Sequence, residues 1–130
     1  MSNNVLAFLE PLGYVCNNPR TAWSYVNHAT KTVAFSMWED LYSNEDKSGV
    51  IFDYNWKNKN GQMLPDTKAS AENLRLVGFE GYELKVFFIE AEDTEATPRI
   101  RKRVLEALLP ATLCRVGSKY YASLKTAPTG

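Results

Sequence analysis

The chain has 130 residues, the size of one folded domain, and its fifteen basic and fifteen acidic residues give a formal net charge of zero. An apolar content of 45% and an aromatic content of 12% argue against intrinsic disorder, so residues 1–130 are predicted to form a single domain. The zero charge argues against a DNA-binding domain with a general basic excess, so any nucleic-acid contact must come from a local patch.

A short N-terminal helix is predicted first. Ser2 to Asn4 supply N-cap candidates, and Pro11 and Gly13 end the helix. Apolar residues recur between them at helical spacing: Val5, Leu6, Leu9 and Leu12. We expect this stripe to cover one side of a sheet. No basic residue precedes the apolar run, so the segment predicts neither a signal peptide nor a membrane span, and we expect a cytoplasmic protein.

The strongest hairpin pattern follows, with Ala22 to Asn27 and Thr32 to Trp38 as its two strands. A turn near Ala29-Thr30 sets Val26 opposite Val33 and Ser24 opposite Phe35. In this register one face is a predicted core, consisting of Val26, Val33, Phe35 and Met37. The other face carries Trp23, Tyr25 and Trp38 above the small residues Ala34 and Ser36. A slip of one residue would exchange the two faces.

A third strand is predicted at Val50 to Trp56, and a helix is predicted from Asp66 or Thr67 to Val77. Tyr82 to Ile89 is apolar enough to be a central strand. Thr97-Pro98 predicts the start of a helix that ends near Leu109, because proline is favoured at the first helical position.

A last hairpin is predicted at Leu113 to Val116 and Lys119 to Leu124, with its turn at Gly117-Ser118. Residues 125–130 are expected to form a frayed tail. The whole order predicts an α+β fold with a mainly antiparallel, strongly bent sheet or small barrel and two or three short helices.

Five aromatic residues near the hairpin and the third strand are candidates for a ligand pocket: Trp23, Tyr25, Trp38, Tyr54 and Trp56. Aromatic walls over a floor of small residues suit a stacked base or another planar ligand. Ser24 and Arg20 are near them in sequence and join the candidate ligand-binding set. The alternative is that these rings fill the core.

The densest basic cluster is a candidate phosphate-binding group, consisting of Arg99, Arg101, Lys102 and Arg103. At the start of a helix these cations oppose the helix dipole, and a bound phosphate would relieve that conflict. The acidic run from Glu90 to Glu95 could neutralise them internally instead, or the run could be a solvated face.

Metal and catalytic patterns are sparse. Cys16, Cys114 and His28 are the only cysteines and the only histidine, too few for a structural zinc site. We therefore predict no metal and no cofactor, with two buried thiols and an exposed loop histidine. Pro65-Asp66 with Glu83 and Lys85 matches the loose PD…ExK pattern of Mg²⁺-dependent nucleases, although Asp66 is expected to cap a helix rather than lie beside Glu83 on a strand.

Residues 12–40 contain an LGY helix end, an N-x-x-x-x-W-S segment, a hairpin and W-E-D, and the segments VIFDYNW, GYELKVFFIEAED and LCRVGSKYYASL follow in order. In these motifs the chain resembles a bacterial domain that occurs alone or joined to HNH endonucleases. The resemblance implies a DNA-associated module, such as a PUA-like barrel of the EVE or SRA kind that reads a modified base. Trp23, Ser24, Tyr25 and Trp38 are the implied counterparts of the base contacts. The HNH catalytic motif is absent, so nuclease activity is not implied.

These observations predict a non-enzymatic domain that recognises a nucleic-acid base or a similar planar ligand through an aromatic pocket. A protein–protein adaptor or inhibitory subunit of a restriction or defence system is the alternative, because neutral charge and exposed aromatics suit a protein interface. A Mg²⁺-dependent nuclease is the second alternative. The predicted partner is thus nucleic acid or a protein, and no membrane is involved.

Overall fold

The computed structural model describes residues 5–16, 22–55, 61, 67–93 and 101–124. It contains two α-helices, α1 (Val5–Leu9) and α2 (Thr67–Phe79), within these ranges. The strands of its sheet are β1 (Ser24–Asn27), β2 (Thr32–Trp38), β3 (Ser48–Asp53), β4 (Glu83–Ala91), β5 (Arg101–Val104), β6 (Leu109–Val116) and β7 (Lys119–Leu124). The predicted N-cap at Ser2 to Asn4 and the predicted tail at 125–130 lie outside the described residues.

All seven strands belong to one sheet, whose order is β1-β2-β4-β6-β7-β3, with β5 also paired to β4. Five of the six pairings are antiparallel, and β2 with β4 is the parallel one. The α+β class and the mainly antiparallel sheet are therefore confirmed. The β4 strand has neighbours on both sides, as its continuous apolar sequence predicted.

The register of the first hairpin is the predicted one, with Val26 opposite Val33 and Ser24 opposite Phe35. Asn27 fixes the turn, because its Oδ1 accepts hydrogen bonds from the backbone N–H groups of Ala29 and Thr30. The last hairpin also has its predicted turn, at which Gly117 takes a positive φ of 62°.

The main core lies on the side of the sheet that α2 covers. It contains the predicted hairpin face together with Leu74 of α2 and apolar residues of the other strands. The buried members are Val26, Val33, Phe35, Met37, Ile51, Phe52, Leu74, Leu84, Val86, Ala111, Ala122 and Leu124. The helix packs there because Leu74, Leu76 and Val77 on one side of it are apolar and lie against the sheet.

A second cluster fills the opposite side of the sheet, beneath α1. Its buried members are Val5, Leu9, Tyr14, Tyr25, Ala34, Phe87, Ile89 and Val104. The prediction that the N-terminal helix covers one side of a sheet is confirmed. The sheet is thus buried on both faces around β2 and β4, which explains the apolar run of β4.

The sheet bends until its last strand, β3, approaches β2. Gly49 of β3 packs against the side chain of Met37 in β2, and both residues are buried. The backbone pairings of the described strands nevertheless form an open path from β1 to β3 rather than a closed barrel.

The predicted helix from Thr97-Pro98 to Leu109 is wrong. Residues 101–104 form β5, which pairs with the end of β4, and β6 begins at Leu109. The C-terminal part of β4 extends beyond β6 and offers unpaired backbone groups, and β5 satisfies them. Val104 is fully buried in the second cluster. Edge pairing and burial therefore override the local helical pattern.

Two further predictions are corrected. The structure places Trp23 with the main core, on the side of the sheet opposite to Tyr25 and Trp38, because the chain bends at Trp23 before β1 begins. Cys16 is half-buried and Cys114 is exposed, so the two thiols are not both buried. Cys114 lies on the part of β6 beyond its pairing with β4, where the strand is exposed.

Candidate ligand-binding site

Trp23 and Phe52 form the inner part of a group of rings at one end of the sheet. Their ring centroids are 6.0 Å apart and their planes are inclined by 29°, a stacked arrangement. Phe52 is fully buried in β3, whereas Trp23 is half-buried. Trp23 therefore reaches from the core toward the surface.

Tyr54 and Tyr120 continue this group outward. Tyr54 meets the ring of Phe52 edge-on at 4.8 Å, and Tyr120 lies 5.9 Å from both Phe52 and Tyr54. The antiparallel pairing of β3 with β7 sets Tyr120 opposite Phe52, so the rings meet through the strand register. We call Trp23, Phe52, Tyr54 and Tyr120 the aromatic cluster.

Arg115 of β6 lies over the two outer rings of this cluster. The carbon of its guanidinium lies 5.2 Å from the ring centre of Tyr120 and 5.9 Å from that of Tyr54, within the range of cation–π attraction. Its Nε donates a hydrogen bond to the carbonyl of Gly117, which fixes the side chain across the turn. Within the described residues no carboxylate forms a salt bridge with Arg115.

Hydrogen bonds lock the strand ends that carry these rings. Asp53 is buried, and its Oδ1 accepts bonds from the backbone N–H of Asn55 and the hydroxyl of Ser118. The Asn55 amide donates to the same hydroxyl, and the backbone N–H of Tyr54 donates to the carbonyl of Ser118. The end of β3 is therefore fastened to the β6–β7 turn, and Tyr54, Tyr120 and Arg115 are held in place.

The phenol of Tyr54 has a raised pKa. Burial disfavours the phenolate, and the neighbouring Tyr120 raises the pKa further through charge repulsion and a hydrogen bond. The positive charge of Arg115 lowers the Tyr54 pKa, because it favours the phenolate. The raised pKa thus favours an uncharged Tyr54 ring beneath the Arg115 cation.

The other candidate residues on β1 and β2 do not join this cluster. Tyr25 is 2% exposed, packs against Phe87, and donates its hydroxyl to the carbonyl of Ala22. Trp38 is half-buried against the second cluster. Ser24 is buried and faces α2, where its Oγ lies 2.7 Å from that of Ser70. The structure therefore separates Trp23 from Tyr25 and Trp38.

Several candidate residues lie where the structure gives no side-chain description. Arg20, Trp56 and Arg99 are outside the described residues. Arg101, Lys102 and Arg103 are on β5, and only their backbone is described. That backbone sets residue 103 opposite Glu90, the start of the acidic run.

Of the carboxylates and the lysine in the nuclease pattern, the structure describes Glu83 and Lys85. Lys85 Nζ lies 3.3 Å from Glu83 Oε2, so the two side chains share one face of β4 as predicted. Asp66 lies outside the described residues, and α2 begins at the next residue, Thr67. No group of three or more metal-binding side chains occurs among the residues that the structure describes.

His28 is exposed in the hairpin turn, and its Nδ1 is 2.7 Å from the Tyr82 hydroxyl.

The sequence patterns did not identify Phe52, Tyr120 or Arg115 as site residues. Tyr120 and Arg115 flank the predicted turn at Gly117-Ser118, and their positions in the final hairpin are directly opposite each other. That cross-strand pair was the available signal, since an arginine opposite a tyrosine on one face can form a cation–π contact. Only the pairing of β7 with β3 adds Phe52 and Tyr54.

Comparison with protein-family models, curated proteins and solved structures gives no match to this chain. Neither of the described helices is long and apolar enough to cross a membrane.

Proposed function

We propose that this protein is a non-enzymatic binding domain that holds a nucleic-acid base, or a similar planar ligand, against the aromatic cluster. The observation that carries the proposal is the position of Arg115 over Tyr54 and Tyr120, in a group of rings that Phe52 links to the half-buried Trp23. Rings and a cation in one place provide both kinds of contact that a nucleotide needs.

Stacking supplies the first kind of contact. A base stacked on an aromatic side chain contributes about 1–3 kcal/mol, and every base has a flat face that can stack. Tyr54 and Tyr120 are half-buried, so part of each ring faces solvent while the rest packs on Phe52. Such a ring can stack with a base without changing its rotamer, because its neighbours already fix that rotamer.

Arg115 supplies the second kind. This is a charge-assisted contact with a phosphate. Arg115 is exposed and its Nε donates to the Gly117 carbonyl, so its two terminal amino groups remain for a phosphate. One arginine is a local positive patch, which is compatible with a chain of zero net charge. In this proposal Arg115 takes the role that the sequence suggested for Arg20 and the cluster from Arg99 to Arg103.

The sequence resemblance to domains joined to HNH endonucleases extends the proposal to a modified base in DNA. Modified-base readers hold a flipped base between aromatic rings, and unpairing costs a few kcal/mol. The proposal therefore favours a base that is single-stranded or easily extruded.

The test is a titration of intrinsic tryptophan fluorescence with short oligonucleotides, plain and base-modified, at low and moderate salt. Variants with Trp38→Phe and Trp56→Phe leave Trp23 as the single reporter among the three tryptophans. We expect saturable quenching that persists at moderate salt, because stacking is less sensitive to salt than phosphate contacts are. Unchanged emission with every oligonucleotide, in a folded protein, would contradict the proposal.

A protein–protein adaptor is the second candidate, and the exposure of Phe79 favours it. Phe79 ends α2 with 83% of its surface exposed, and Val116 at the β6–β7 turn is 62% exposed. Large apolar side chains at this exposure suit a protein interface. A pull-down from a host lysate tests this candidate: a partner retained by the wild-type chain and lost with Phe79→Ser supports it, and equal retention by both contradicts it.

A further inference from the structure

A cavity of about 330 Å³ lies between α2 and the β1 edge of the sheet. Residues of one side of α2 and of the sheet edge form its walls, including Val15, Ser24, Val26, Ala69, Asn73 and Leu76. None of its lining residues belongs to the aromatic cluster. Small-molecule sites span about 300–1,000 Å³, so this volume suits a small ligand.

One wall of the cavity carries polar side chains that are held in place by hydrogen bonds to one another. Asn73 Nδ2 donates a hydrogen bond of 2.8 Å to Ser24 Oγ, which in turn lies 2.7 Å from Ser70 Oγ. Ser24 is 2% exposed and Ser70 is fully buried, so this chain of hydrogen bonds is held inside the structure. Among the described residues nothing bonds to the carboxamide oxygen of Asn73, and one amide hydrogen also remains. Asn73 can therefore offer one further acceptor and one further donor.

The charges around the cavity favour a neutral occupant. Glu72 is a lining residue, but Arg75 holds both oxygens of its carboxylate at 2.7–3.1 Å. His28, also a lining residue, is bonded to Tyr82 through Nδ1. A charged ligand would lose its hydration without gaining an ionic partner from the described lining.

We infer that this cavity is a binding site for a small neutral molecule with an amide-type edge, a hydrogen-bond donor beside an acceptor. The edge pairs with the Asn73 carboxamide, and the rest of the ligand packs on Val15, Val26 and Leu76. Primary carboxamides and the lactam edge of a free pyrimidine base share this chemistry. The site is additional to the proposed function and uses other residues.

The experiment is a ¹⁵N–¹H NMR titration of the full chain with nicotinamide, uracil and nicotinate. Nicotinate is matched to nicotinamide in shape but carries a charge. We expect saturable shifts of the Ser24 and Asn73 backbone signals with nicotinamide or uracil, and binding of nicotinate at least about tenfold weaker. Binding of nicotinamide but not of uracil would identify the ligand class as primary carboxamides. Binding of uracil but not of nicotinamide would identify it as free pyrimidine bases. No saturable shift with either neutral probe, or equal binding of nicotinate, overturns the inference.

Variants separate this site from the aromatic cluster. Asn73→Leu keeps the side-chain size and removes the amide edge, and we expect it to weaken binding by about tenfold or more. Ala69→Phe fills the cavity and should abolish binding, whereas Lys68→Phe adds the same ring at an exposed neighbouring position and should not. Tyr120→Ala changes the aromatic cluster, and the probe-induced shifts of the Ser24 and Asn73 signals should remain, whatever the change does to stacking on the rings. Full binding in a folded Asn73→Leu or Ala69→Phe variant overturns the inference.

Discussion

Gly49 of β3 lies so close to Met37 of β2 that a Cβ at position 49 would come within 2.6 Å of the Met37 sulfur. The two strands share no backbone pairing among the described residues, and they meet here through packing. The backbone of Tyr42 borders the same space, with its Cα 3.3 Å from that Cβ position. The close approach of β3 to β2 at this point therefore leaves no room for a side chain at position 49.

Gly49→Ala is expected to lower the free energy of unfolding by about 1–3 kcal/mol, because the added methyl overpacks a fully buried contact. Urea unfolding of the variant measures this loss. In a Met37→Val background the same change should cost less, since the sulfur is gone. Equal costs in both backgrounds would show that Met37 does not set the spacing.

Gly78→Ala is the matched glycine control and should act in the opposite direction. Gly78 lies in α2, is exposed, and has no atom within 4 Å of its Cβ position. Alanine in a helix is favoured over glycine by about 0.5–1 kcal/mol, so we expect a gain of that size in urea unfolding. A loss would mean that the α2 backbone at this position is not helical.

Asn27→Ala is expected to destabilise the fold by about 1–3 kcal/mol. Buried Asn27 accepts two backbone N–H bonds in the hairpin turn, and its Nδ2 donates to the carbonyl of Leu12. It therefore joins the hairpin to the segment that follows α1. Asn55→Ala, which removes an exposed amide, should cost about 0.5 kcal/mol or less. Thermal unfolding compares the two, and equal losses would contradict the assigned role of Asn27.

Stability should fall at alkaline pH through Tyr54. A raised pKa means that the folded chain binds the phenolic proton more tightly than the unfolded chain does. This contribution is complete below the ordinary tyrosine pKa of about 10 and is lost as pH rises through the folded-state pKa. Tyr54→Phe should flatten the decline in unfolding free energy measured across that range, whereas Tyr121→Phe should leave the Tyr54 contribution in place. An identical decline in Tyr54→Phe would contradict the assignment.

Arg115→Ala should raise the Tyr54 pKa further, because the guanidinium favours the phenolate. The phenolate absorbance that disappears when Tyr54→Phe is added isolates this residue among the seven tyrosines and measures the shift. If oligonucleotides bind as proposed, the same variant should reduce the slope of log K against log salt by about 0.7, the value for one phosphate contact to a single strand. Arg75→Ala, on α2 and already paired with Glu72 and Glu80, should leave that slope unchanged.

Tyr120→Ala should weaken oligonucleotide binding by about 1–3 kcal/mol, the loss of one stacked base. Tyr121→Ala is the control, since neighbouring residues of a strand point to opposite faces of the sheet. Fluorescence titration compares the two variants at equal salt. Loss of binding in both, or in neither, would contradict a site at the aromatic cluster.

Local patterns determined most of the secondary structure. The alternation around Ala29-Thr30 predicted the β1–β2 register, and Gly117-Ser118 predicted the last turn, because strand period and turn chemistry act over a few residues. The helical spacing before Val77 predicted α2 almost to its observed end at Phe79. Continuous apolar residues predicted β4 as a central strand.

Only the tertiary structure decided how these elements meet. The unpaired end of β4 makes residues 101–104 a strand instead of a helix, and the bend before β1 turns Trp23 away from Tyr25 and Trp38. Trp23, Phe52, Arg115 and Tyr120 are brought together by the pairing of β3 with β7 and the packing of the core. Such contacts join residues far apart in the chain, and they depend on which strand edges and apolar faces remain uncovered, a property of the assembled sheet and not of any local stretch of sequence.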